Sequence, residues 1–139
     1  MFMKMNNMIN NFSVVIPVFN EEEIFIDSAK KIYNICNEVN KPFEIIFSEN
    51  GSTDNTVNLI QNFINDKDNC FMIRNEIANY GLALKNGFRN AKNDLIISFD
   101  IDYFSQKFLE QSLKLSDEFV GIVCLLYTSP SPRDLGKTR

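Results

Sequence analysis

Short apolar runs alternate along this chain with longer stretches in which apolar positions recur at helical spacing. Ser13 to Val18 is a β-branched run closed by Pro17 and followed by Asn20, the pattern of a buried parallel-type strand ending in a loop. Glu21, Glu22 and Glu23 favour a helix N-terminus, and Ile24, Ala29, Ile32, Ile35 and Val39 form a helical stripe that stops before Pro42. Phe43 to Phe47 predicts a second strand. The turn and cap formers from Glu49 to Asp54 then lead into a helix carrying Val57, Leu59, Ile60, Phe63 and Ile64. Cys70 to Arg74 predicts a third strand, and Gly81 to Ala91 a helix with Leu82, Leu84 and Phe88 inward. Leu95 to Phe99 predicts a fourth strand ending at Asp100-Ile101-Asp102, Phe104 to Leu115 a further helix, and Phe119 to Val123 the start of another strand. This alternation implies an α/β fold: a parallel, helix-covered sheet with its ligand site at the strands' carboxyl ends.

Composition narrows the chemistry. The 139 residues suit one domain, and 45% hydrophobic content supports one core. The chain has no histidine, which excludes a histidine triad, a histidine-ligated zinc site or an imidazole base within it. A net charge of -4 argues against general nucleic-acid binding, so no nucleic-acid partner is expected, although a nucleotide held through a metal ion stays open. Cys36, Cys70 and Cys124 follow no ligand spacing and fit a reducing cytoplasm, with Cys36 and Cys70 expected in the core. Met1 to Asn11 lacks the apolar segment of a signal peptide, and no apolar run reaches the roughly 18 residues of a membrane span.

Polar clusters follow three of the expected strands: Asn20-Glu21, Glu49-Asn50-Gly51-Ser52 and Asp100-Ile101-Asp102. All three fall on one rim. Acid-x-acid at a strand end suits a hard divalent cation, which takes carboxylate oxygens and keeps places for water and phosphate, but alone it reads equally as a solvated turn.

In this order and spacing, four segments resemble the family 2 glycosyltransferases: Ser13-Val-Val-Ile-Pro-Val-Phe-Asn-Glu-Glu22, Phe43-Glu-Ile-Ile-Phe-Ser-Glu-Asn-Gly-Ser-Thr-Asp-Asn-Thr56, Asn79-Tyr-Gly-Leu-Ala-Leu-Lys-Asn-Gly87 and Ser98-Phe-Asp-Ile-Asp102. The resemblance implies the Rossmann-like, nucleotide-binding half of an A-type glycosyltransferase fold, truncated. It also implies transfer of a sugar, with inversion, from a UDP- or GDP-linked donor to an acceptor, here most similar to a dolichyl or other polyprenyl phosphate. Pro17, Asn20 and Glu21 would meet the nucleoside, and Glu49, with Asn50 and Gly51, would occupy the loop that reads base or ribose. Asn79, Gly81 and Lys85 would join the nucleotide surface. Asp100 and Ile101 would join the nucleotide surface too, and Asp100 with Asp102 would be the diphosphate-metal DXD pair holding Mg²⁺ or Mn²⁺.

Other readings stay open residue by residue. Pro17 also reads as a strand end, Glu21 as a helix cap, Asn79, Gly81 and Gly87 as either turn geometry or site wall, and Lys85 as a solvated helix lysine. Two positions depart from the family pattern. Glu49-Asn-Gly-Ser stands where many members have Asp-Asp-Gly-Ser, and Phe104 stands where lipid-phosphate members often place a polar ligand. A hydroxyl acceptor would need a carboxylate base, which members keep in their later half, whereas a phosphate acceptor arrives anionic. The catalytic residue is therefore not assigned, and the alternatives are a non-catalytic nucleotide-binding fragment or a nucleotidyltransferase on a related fold. Against the latter, Phe19-Asn-Glu-Glu-Glu23 is acidic and lacks glycine. A receiver domain gives Gly51-Ser-Thr-Asp54 no role, and a dinucleotide-binding oxidoreductase lacks its glycine fingerprint.

From Cys124 onward the composition changes, with Pro130 and Pro132 at alternate positions and no further asparagine. The string resembles a translated sequencing-library adapter. The expected organisation is an N-terminal extension over 1–12, an incomplete family 2 nucleotide-sugar-binding domain over 13–123, and a non-native tail over 124–139. Such a fragment is expected to be inactive, and the longer protein to be cytoplasmic with membrane association open. Long-read sequencing of the source locus is expected to diverge from this chain near Cys124; reads that continue in frame to Arg139 would remove the adapter reading.

Overall fold

Phe12–Val18 is buried at every position, which is the environment its continuous apolar run requires, and it forms β1 at the centre of the sheet. The computed structural model describes residues 11–115 and 121–124. After β1 come α1 (Phe25–Glu38), β2 (Phe43–Glu49), α2 (Thr56–Ile64), β3 (Cys70–Arg74), α3 (Tyr80–Asn90), β4 (Leu95–Ser98), α4 (Gln106–Leu115) and β5 (Gly121–Cys124). The strands pair in parallel in the order β3-β2-β1-β4-β5, giving the α/β sheet that the alternation implies. Phe12, read from sequence as extension, opens β1, and Cys124, read as tail, closes β5; residues 1–10 and 125–139 lie outside the described residues.

The two faces of the sheet differ. On one, Val14, Ile16, Ile45, Phe47, Leu95 and Ile97 pack against residues of α1, α2 and α4. Phe25, Phe47 and Phe63 meet edge to face with centroids 5.1 to 6.0 Å apart, joining β2 to both of its helices. Cys36 and Cys70 are buried in this same core. The other face has a smaller cluster of Val15, Ile46 and Ile96, with Phe88 of α3 at its margin. Its buried polar groups are matched: the Ser13 hydroxyl donates to Glu44 Oε2 at 2.6 Å, and the Lys92 amide donates to the same oxygen at 2.8 Å.

Three local expectations need correction. Leu82, expected inward, is 40% exposed, and α3 buries Ala83 and Gly87 instead. Gly87 is neither a turn nor a site wall: a Cβ there would stand 2.4 Å from Val15 Cγ1, so the missing side chain is what lets α3 approach β1. Helix boundaries also shift. The Ile24 and Phe25 amides donate to the Glu21 carbonyl in a preceding turn, so regular helix begins at Phe25, and the Ser105 hydroxyl caps α4 by accepting from the Phe108 amide at 3.1 Å.

Gly87→Ala is expected to lower the urea unfolding midpoint, because overpacking against a rigid β-branched side chain costs about 1–3 kcal/mol and outweighs a helix-propensity gain of at most about 1 kcal/mol. Gly81→Ala is the control. Its Cβ would meet only Asn79 Oδ1, at 3.6 Å, so an unchanged or slightly raised midpoint is expected.

Candidate functional site

Parallel strands present backbone groups to alternate neighbours, and the bonds Phe12 N to Pro42 O and Asn50 N to Val18 O show that the even-numbered residues of β1 face β2. Pro17 therefore faces β4 and has no N–H to give it. The β1–β4 ladder ends at Val15 opposite Ser98, while β1–β2 pairing continues to Val18 opposite Glu49. Strand order reverses at the same place, because β2 leaves β1 on one side and β4 on the other. A cleft of about 500 Å³ opens there, lined by residues 17–21, Asn50, Tyr80 and residues 100–102.

The cleft thus gathers Pro17, Asn20, Glu21, Asn50, Asp100, Ile101 and Asp102, all named from sequence. Its lining carries three carboxylates, Glu21, Asp100 and Asp102, and no lysine or arginine among the described residues. Asp100 is fixed at its backbone by a tight turn in which its carbonyl accepts from the Tyr103 amide at 3.1 Å. Its Oδ1 accepts from the Tyr80 hydroxyl at 2.9 Å. Desolvation and the Asp100 carboxylate push the Tyr80 phenol well above its ordinary pKa, so it remains a donor through neutral pH.

One wall is two loops stitched together. Asn20 sits in the left-handed region at φ 50°, and its Oδ1 accepts from the Thr53 and Asp54 amides at 2.8 and 3.2 Å. Its own amide donates to Ser52 Oγ at 2.9 Å, and the Glu21 amide donates to Thr56 Oγ1 at 2.9 Å. Burial pushes the Asp54 carboxyl up, but hydrogen bonds from the Thr56 hydroxyl and amide and from the Glu22 amide together hold it below its ordinary value.

The remaining sequence candidates stand behind or beside the cleft. Glu49 is fully buried; it accepts from the Ser52 amide, and its Oε1 lies 3.5 Å from Arg74 Nε without a hydrogen bond. Gly51 takes φ 78°, and its backbone runs close to Ala78, which a side chain would crowd at 3.1 Å. Asn79 caps α3 by accepting from the Leu82 amide at 3.0 Å, and its own amide donates to Asn50 Oδ1 at 2.7 Å. Gly81 and Lys85 are exposed on α3 and do not line the cleft. Phe104 packs near Phe99, centroids 6.1 Å apart, instead of offering a ligand. Sequence reading missed Tyr80. Its signal was its place between Asn79 and Gly81, both already singled out. A second cavity of about 530 Å³ lies between α1 and α2, but its Lys67 ammonium is already engaged by the Phe63 carbonyl, Asp66 and the Phe63 ring.

The pattern described as "Glycosyl transferase family 2" matches residues 13–137. The chain belongs to that family. Among curated proteins, this family 2 chain is 35% identical over 96 residues to an "Undecaprenyl-phosphate 4-deoxy-4-formamido-L-arabinose transferase" of Proteus mirabilis, covering 68% of this chain and 29% of that protein. It is 35% identical over 96 residues to the protein of the same description in Pectobacterium carotovorum, and 34% identical over 102 residues to that of Yersinia pestis, where the match covers 72% of this chain and 31% of the relative. The chain therefore spans less than a third of the length of these relatives.

Asn20→Ala is expected to speed amide hydrogen exchange at Thr53 and Asp54 several-fold and to cost about 1 kcal/mol in stability, the worth of a typical hydrogen bond. Unchanged exchange would show that the two loops hold together without it.

Proposed function

We propose that this family 2 chain supplies the donor side of an enzyme that moves a sugar, with inversion, from a nucleoside diphosphate to a polyprenyl phosphate. The observation that carries the donor reading is the acidic cleft at the strand-order reversal. A diphosphate is itself anionic, and three carboxylates would repel it unless a cation lay between them. The donor set fits such an ion: Asp100 and Asp102 flank one residue at the end of β4, and Mg²⁺ is commonly held by one or two carboxylates with the remaining places going to water and phosphate. A bound divalent cation would supply charge neutralisation on the departing diphosphate.

The chain's own residues do the rest. Asp100 and Asp102 would hold the ion, Pro17 and Asn20 would wall the nucleoside, and the loop of Glu49, Asn50 and Gly51 would back the base or ribose. In the transfer, an acceptor oxygen bonds to the anomeric carbon as the carbon–oxygen bond to the diphosphate breaks, and the electron pair leaves with the diphosphate. A phosphate oxygen is already anionic, so no base is required in this half. The acceptor class is supported by the relatives' descriptions, each naming an undecaprenyl phosphate. Among the described residues no helix is long and apolar enough to cross a membrane.

Calorimetric titration of UDP and GDP with Mn²⁺, and again with EDTA, tests this. At least tenfold weaker binding in EDTA is expected for the preferred nucleotide, with a similar loss in Asp102→Ala. Equal affinity in both conditions, or an unaffected Asp102→Ala protein, would remove the cation from the site.

A further inference from the structure

We infer that Tyr80 is a positioning residue: its hydroxyl fixes the Asp100 carboxylate in the orientation from which it meets the cation and diphosphate. The inference rests on the cation reading above, and it adds to the site a residue on an element distant in sequence from the acid pair.

The geometry builds from β2 outward. Asn50, 6% exposed at the end of β2, accepts from the Asn79 amide at 2.7 Å, which places the start of α3 at the cleft. Asn79 Oδ1 then accepts from the Leu82 amide at 3.0 Å and closes the first turn of that helix. Tyr80 is the first residue of the turn, so its ring leaves the helix at a fixed point and lines the cleft. Its hydroxyl reaches Asp100 Oδ1 at 2.9 Å, 20 residues further along the chain. The tight turn with Tyr103 holds the Asp100 backbone, whereas the Tyr80 hydroxyl acts on the carboxylate itself. A phenol bond to one carboxylate oxygen sets the plane of the group, and donors that orient metal-binding carboxylates in this way commonly govern metal affinity by 10–100-fold. The tie also joins α3, which is anchored to β2, to the end of β4, so both sides of the cleft mouth are held in register.

A tyrosine that merely packs at the cleft would be replaced by phenylalanine without consequence, because the residue is 53% exposed and the substitution removes one oxygen. The test is therefore a Mn²⁺ titration of the chain and of Tyr80→Phe in saturating UDP, with free Mn²⁺ read by electron paramagnetic resonance. Tyr80→Phe is expected to bind Mn²⁺ about tenfold more weakly, with unchanged circular dichroism and unchanged UDP affinity in EDTA. Tyr80→Ala is expected to match it, since the carboxylate uses the hydroxyl and not the ring. Wild-type Mn²⁺ affinity in Tyr80→Phe, alongside loss in Asp100→Asn, would overturn the role of Tyr80 and leave the cation reading standing. A loss confined to Tyr80→Ala would likewise assign the ring a packing role and overturn the inference. Mn²⁺-independent UDP binding by the unsubstituted chain would overturn the cation reading, and this inference with it.

Discussion

A missing N–H decides where this molecule opens. β1 is buried along its whole length and pairs on both sides, so its ladder would otherwise continue to the sheet edge with no room for a ligand. Pro17 ends pairing toward β4 while the bonds toward β2 continue. The chain after Ser98 is then released from the ladder beside the last residues of β1, and Asp100 and Asp102 reach the cleft from that released segment. The cleft, the acids and the reversal of strand order are thus one feature.

That feature depends on support from both faces. The aromatic contacts of Phe25, Phe47 and Phe63 fix β2 against α1 and α2, and Gly87 lets α3 settle against β1 on the other side. The loops after β1 and β2 add little apolar burial and are fixed instead by amides donating to Asn20, Asp54, Thr56 and Ser52. A polar wall of this kind suits a polar ligand. Its groups are held by bonds to one another, so they need not reorganise on binding one.

The elements were legible in the sequence because strand and helix carry different apolar periods, and the runs at Ser13 to Val18 and Phe43 to Phe47 are unambiguous. The rim was legible too, since polar clusters immediately follow those strands, and Asn20, Asn50, Asp100 and Asp102 do meet at one cleft. The inner face of α3 was not legible. Ala83 and Gly87 contact the sheet because they are small, whereas apolar periodicity rewards size and pointed to Leu82. Glu49 illustrates a different limit: its place at the end of β2 could be read, but its partners Ser52 and Arg74 are set by the turn at Gly51 and by pairing with β3. Tyr80 was hidden for the same reason, since its partner lies 20 residues away and only the docking of α3 brings them together.

The two sides of the cleft are built to different stiffness. On one side, the loops after β1 and β2 share a network in which Asn20 alone takes part in several bonds. On the acid side, residues 100–103 form a tight turn outside the regular strand, and Asp102 is exposed. Two neighbouring carboxylates repel each other, and that repulsion grows as water is excluded from the cleft. A neutral phenol donor on Asp100 lessens the repulsion without occupying the site with a competing positive charge, as a lysine or arginine would. On the proposed reading, a cation arriving with the diphosphate would bridge the acid pair to the donor, which would make cation and donor binding mutually dependent.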